Sequence, residues 1–252
     1  MPALARILCG FPGNVFSFLK RGSHDRDTHA SISQKKSCIV VTDTFFVGSI
    51  MSTHYEKIIR DNLAQVYRKF DELERCLPAM KRGRQFHFRA FGEDCLLDPD
   101  GVSFSERPEN GPKALLVSLY ARYVRPDPVG LDPFKSFKDL PGSMPYHGAF
   151  AVNSERVLVP HVPGIEKNQK KILKFFEGEG NPKGAAGDFS LLLYPLPKIA
   201  LCYVFYRADD EFPPSVTCLF SANADVMMPL DGLADVAEYT SKEMIRMALN
   251  EP

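Results

Sequence analysis

Three adjacent carboxylates, Asp209, Asp210 and Glu211, stand directly before Phe212-Pro213-Pro214. Neighbouring acids repel one another unless solvent, a basic group or a cation screens them. Held together in a cleft, they could bind a hard or borderline cation or a polar ligand, with an imidazole completing the donor set. Tyr146-His147 and His161 flank one expected helical segment. A histidine there suits proton transfer or metal ligation near neutral pH. The expected ligand-binding set is therefore Asp209, Asp210, Glu211, Tyr146, His147 and His161, with no catalytic residue assigned. A structural reading competes with it. The acids then form a solvated turn in which a carboxylate caps backbone amides, and the prolines set the start of the next strand. Neither histidine has an HxxxH or HExxH partner.

Other patterns carry less chemistry. Gly180-Asn181-Pro182-Lys183-Gly184-Ala185-Ala186-Gly187 lacks the GxxxxGK[ST] order and precedes a strand. It therefore cannot aim helix N-terminal amides at a phosphate. Lys81, Arg82, Arg84 and Arg89 interleave with Phe86, Phe88 and Phe91. Such mixing can stack and neutralise RNA, but Phe86 and Phe88 share one strand face and are more simply core. Lys167, Lys170, Lys171 and Lys174 oppose Ile165, Ile172 and Phe176 as the solvated face of a helix. Ser118 and Ser190 lie in apolar segments without a nucleophile-elbow context.

The elements that must position these residues follow from periodicity. Phe189 to Tyr194 and Ile199 to Tyr206 read as strands with two largely apolar faces, hence central and covered on both sides. The adjacent prolines and acids of 207–214 exclude a central strand, and strand chemistry resumes from Ser215 to Phe220. Asp231 is expected to N-cap a terminal amphipathic helix through Ala248. Upstream, Ile58, Ile59, Leu63, Val66, Tyr67, Phe70 and Leu73 have helical period, ended by Leu77-Pro78. Phe86 to Phe91 alternates as a strand, and turns at 92–94 and 98–101 bracket a short strand returning through Val102 to Phe104. Pro112 suits N1 of a helix through Tyr123, and further helices are expected near Tyr146 and from Ile165 to Phe176. Segregated helices and strands favour a single-domain α+β fold with a mainly antiparallel sheet packed with helices.

Gly187-Asp188, the apolar hairpin, the sequence DDEFPPS from Asp209 to Ser215 and the closing Leu219-Phe220 resemble a bacterial and archaeal family, domain of unknown function family 3786. Ser136-Phe137-Lys138-Asp139-Leu140-Pro141-Gly142 is similar to its central SFRELPGG-like segment. Residues 114–120, ALLVSLY, resemble its ILLLHYL-like helix. The resemblance spans roughly Tyr55 to Ala248. Some relatives are joined to an iron–sulfur module and occur in anaerobes. The resemblance thus implies a binding or accessory role for a metal-containing cofactor in anaerobic metabolism. This sequence holds no iron–sulfur module.

The 252 residues suffice for a sizeable core. Zero formal net charge gives no general attraction to nucleic acid or anionic membranes, so neither is expected as a partner. No apolar run reaches the ~18 residues of a membrane span. The six cysteines lie far apart without a CxxC, arguing against a disulfide framework or closed zinc site and for a reducing cytoplasm. Residues 1–50 are expected to be a disordered extension or a mis-assigned start, with Met51 opening the folded domain 51–252 through a Thr53/Glu56 capping box. Two function classes stay open: a non-catalytic binding or accessory protein, and a metal-assisted hydrolase or transferase using the acidic loop. Oligomeric state has no sequence signal.

Overall fold

Tyr55, Ile59, Leu63, Val66 and Tyr67 recur every three to four residues and are all buried, the inner stripe of helix α1 (Thr42–Arg68). The structure, a computed structural model, describes residues 42–249. The expectation for residues 1–50 thus falls almost wholly outside the described residues. The chain divides into two units, Met1–Met51 and Ser52–Pro252, and the architecture given is that of the second. Helical backbone runs through Thr53 from Thr42, and the capping box expected there falls on a side chain outside the described ones.

The single helix expected before Pro78 is two. Lys69 leaves helical geometry (φ −117°, ψ 45°), and α2 (Phe70–Cys76) follows. Phe70 and Tyr67 both reach Phe86, with ring centroids 5.5 and 6.4 Å away. Phe86 belongs to the first antiparallel sheet, β1 (Met80–Arg82), β2 (Gln85–Ala90), β3 (Glu93–Leu97), β4 (Val102–Phe104) and β5 (Arg107–Glu109), paired in chain order. Its buried positions Phe86, Ala90, Cys95, Leu97, Val102 and Phe104 give one apolar face. Helix α3 (Pro112–Tyr123) begins with proline at N1 as expected.

The second sheet is assembled from distant pieces. Strand β6 (Lys135–Ser136) precedes an irregular helical stretch. That stretch comprises α4 (His147–Phe150), a π-helical turn Ala151–Glu155, a 3-10 turn Arg156–His161, α5 (Val162–Lys167) and α6 (Gln169–Phe175). Then come β7 (Glu179–Gly180), β8 (Phe189–Leu196), β9 (Ile199–Tyr206) and β10 (Ser215–Phe220). The strand order is β6-β10-β9-β8-β7, all antiparallel. Every residue from Ile199 to Phe205 is buried, so β9 is the covered central strand its two apolar faces imply. The α+β class holds, with two five-stranded antiparallel sheets in place of one.

After α7 (Ala224–Met227), α8 (Leu230–Leu249) turns Leu233, Val236, Ala237, Met244 and Met247 into the core, all buried. Tyr203 reaches from β9 to donate to Ala237 O at 3.0 Å. Asp231 is not the N-cap. The helix starts at Leu230, and Asp231 Oδ1 accepts the Gly232 N–H within the first turn.

The two sheets meet at one corner. Phe91 N–H donates to Pro195 O at 2.6 Å, and Tyr194 N–H donates to Phe176 O at 3.2 Å. Gly92 has φ +76°, and a Cβ there would lie 2.1 Å from the Phe175 ring. Only glycine lets α6 close over the β2–β3 turn.

Candidate functional site

The β9–β10 loop presents Asp209, Asp210 and Glu211 as exposed side chains, beside Phe212 at 65% exposure. Asp209 is occupied locally. Its Oδ1 accepts the N–H groups of Glu211 (2.9 Å) and Phe212 (2.7 Å), and its own N–H donates to Phe212 O at 3.0 Å. This is an Asx-type turn in which the carboxylate replaces a backbone acceptor. The adjacent cation, Arg207, is engaged elsewhere. Its Nε donates to Glu166 Oε2 at 3.2 Å, and its backbone N–H donates to Asp188 Oδ2 at 2.6 Å. The guanidinium holds the Glu166 carboxyl below the usual carboxylate range.

Tyr146 and His147 stand half-buried at the start of α4, and His161 half-buried at the end of the 3-10 turn, where it caps α5. The structure gives His147 an acidic neighbour that sequence spacing did not suggest. Glu155, at the end of the π-helical turn, has its carboxyl pushed up chiefly by burial. The Cys218 N–H and the charges of His147 and Arg156 pull it back. Glu155 Oε1 accepts that N–H at 3.0 Å, so the carboxylate pins the π-helical turn to β10. Beneath it, burial pushes the Tyr203 phenol and Cys218 thiol well up. Cys202 and Cys218 are fully buried, the small core hydrophobes their strand positions imply.

A cleft of about 460 Å³ lies at the corner where the sheets meet. Pro78, Ala79 and Met80 bring the chain from α2 into β1 along one wall. Strand β2 contributes His87, Phe88 and Arg89, Glu177 follows α6, and Tyr194 and Pro197 come from the β8–β9 corner. Arg89 is held firmly. Its Nη1 donates to Asp94 Oδ1 at 3.1 Å and its Nη2 to Gly92 O. Arg89 Nε stands 3.5 Å from Glu177 Oε1, an ion pair without hydrogen-bond geometry. His87 Nε2 and Arg89 Nε are buried polar atoms without a hydrogen-bond partner. Burial, and to a lesser degree the Glu179 charge, raise the Tyr194 phenol.

This cleft was hidden in the sequence because its walls come from segments about a hundred residues apart. The available signal was the basic–aromatic interleaving around Phe86 to Phe91, which contains Phe88 and Arg89. A smaller cavity of about 240 Å³ lies by the C-terminus of α3, with Lys69, Arg122 and Arg125 on its wall. Cations there complement the carbonyl end of the helix. Among the described residues, no group of three or more His, Cys, Asp or Glu side chains could hold a metal ion. No described helix is long and apolar enough to cross a membrane.

Comparison with protein families gives a match over most of the described chain. The model described as "Domain of unknown function (DUF3786)" covers residues 69–243. Searches of the curated proteins and of the solved structures return no match.

Proposed function

The chain belongs to the family described as a domain of unknown function, DUF3786, and from that premise we propose that it is a non-catalytic small-molecule-binding protein whose ligand occupies the cleft between the two sheets. The observation that carries this reading is the cleft's composition. Its volume falls within the roughly 300–1,000 Å³ of small-molecule sites. Apolar and aromatic walls surround a few polar groups, and the buried His87 Nε2 among them has no hydrogen-bond partner. Among the described residues, the wall holds no serine, threonine or cysteine to pair with His87 as a nucleophile, which favours binding over catalysis.

The family resemblance implies a metal-containing cofactor. The described side chains assemble no donor set for a metal, so recognition in this proposal falls on an organic frame. Cytoplasmic residence belongs to the same proposal, supported by four unpaired thiols at Cys76, Cys95, Cys202 and Cys218. The Asp209–Glu211 loop is assigned to turn formation, supported by the two amides on Asp209.

The test is ligand-induced thermal stabilisation. A ligand at 100 times its Kd adds about 2.7 kcal/mol, a shift of several degrees. Ala79→Trp fills the cleft and is expected to abolish that shift while far-UV dichroism stays native. An Ala79→Trp protein that folds and still responds fully would overturn the assignment, whereas Asp210→Asn with Glu211→Gln is expected to leave the response unchanged.

A further inference from the structure

Glu177 occupies a position where its residue type is costly. Phe176 caps α6, and the Gly178 N–H donates to Leu173 O at 2.8 Å, the six-to-one bond of a Schellman motif. Glu177 therefore sits at the left-handed position of that motif, with φ +53°. Glycine is the usual occupant, and a Cβ there is strained. The neighbouring glycine serves another purpose, since a Cβ on Gly178 would lie 2.1 Å from Leu192 O. The chain thus accepts strain at residue 177 and gains a carboxylate on the cleft wall. Backbone strain kept in this way is characteristic of binding sites. That carboxylate is 62% exposed, and its described contact is the 3.5 Å ion pair to Arg89.

We propose that the cleft reads an uncharged, planar nitrogen heterocycle whose edge carries paired N–H donors beside a carbonyl, the edge shared by guanine and pterin. This rests on the cleft being the ligand site. A carboxylate accepts two parallel N–H donors in bidentate fashion. Glu177 is the acceptor offered to the ring N–H and the exocyclic amine. The buried, unpartnered His87 Nε2 is the group that a ring carbonyl would satisfy. Tyr194, on the wall formed by the β8–β9 corner, would supply a flat face for stacking. Arg89 is already balanced by Asp94 and Glu177, so the described residues leave the cleft no surplus cation to recruit a phosphate or carboxylate. A neutral ring suits it better than an anion.

The experiment compares guanosine with inosine, and pterin with lumazine, by calorimetric titration of the full chain. Inosine lacks the amino group, and lumazine replaces it by oxygen. At least one amino-bearing member is expected to bind at least tenfold more tightly than its control, and which pair responds separates a purine from a pterin. Glu177→Gly relaxes the backbone, so it should keep or raise Tm while weakening that binding at least tenfold. Glu177→Asn, which also tolerates φ > 0 and keeps one acceptor, should fall between. Equal binding within both pairs, no binding in either, or unchanged binding by a folded Glu177→Gly protein would each overturn the proposal. If other compounds bind and Ala79→Trp removes them, the cleft assignment survives that failure. If Ala79→Trp removes nothing, it falls as well.

Discussion

Asp235 illustrates how strongly one carboxyl can govern stability. It lies on α8, where burial, then Glu238 and Asp231, push it up to about 7, against the opposing pull of Lys242. An unfolded aspartate titrates near ~3.9. The folded state therefore binds this proton more tightly, and the linked stabilisation is complete below about pH 4. It is lost as pH rises through about 7. Asp235→Asn should flatten this decline and be more stable than the parent at pH 8, by up to roughly 3–4 kcal/mol. Urea denaturation at pH 5 and pH 8 measures it, and parallel pH slopes for parent and variant would contradict it. Asp209 contributes through its two amide partners. Asp209→Ala should cost about 1 kcal/mol, while Asp210→Asn with Glu211→Gln should shift stability by less than ~0.5 kcal/mol. A larger loss from the double variant in the same denaturation would show that those two side chains also hold the turn.

Among the elements, the β8–β9–β10 sheet was the most legible. Residues 199–205 carry apolar side chains on both faces, a signature only a covered strand can use. Pro112 and the proline-rich 207–214 loop were equally plain, because missing amide donors act locally. Strands β1 and β5 were not legible: no side chain of Met80–Arg82 or Arg107–Glu109 is buried, so neither leaves an apolar pattern. The division of the strands into two sheets was not legible for a related reason. Hairpin periodicity reports faces, while partition into sheets depends on pairings such as Leu219 with Ser136, 83 residues apart in sequence. The acidic loop was legible as a turn, yet the His87–Glu177–Tyr194 cleft was not, since it arises only when distant segments close at the Phe91–Pro195 contact. Two core substitutions test the sheet. Leu201→Ala should cost ~2–5 kcal/mol, and Tyr203→Phe roughly 1–3 kcal/mol, by stripping Ala237 O and Ser241 of a buried partner. A Leu201→Ala loss below ~1 kcal/mol in chemical denaturation would contradict the burial of β9.

For the whole molecule, the folded unit is proposed to open near Met51. A fragment of residues 51–252 should be soluble and melt within a few degrees of the full chain, and limited proteolysis should cut within the first fifty residues. A fragment that aggregates or melts far lower would show that the preceding residues belong to the core. The ligand site is proposed at the corner where the sheets join. The most direct test is amide chemical-shift mapping during titration with the tightest-binding heterocycle. The largest shifts should fall on Ala79, His87, Arg89 and Glu177, with the Asp209–Glu211 amides unmoved. Shifts centred on that acidic loop, or spread evenly over the surface, would contradict the assignment.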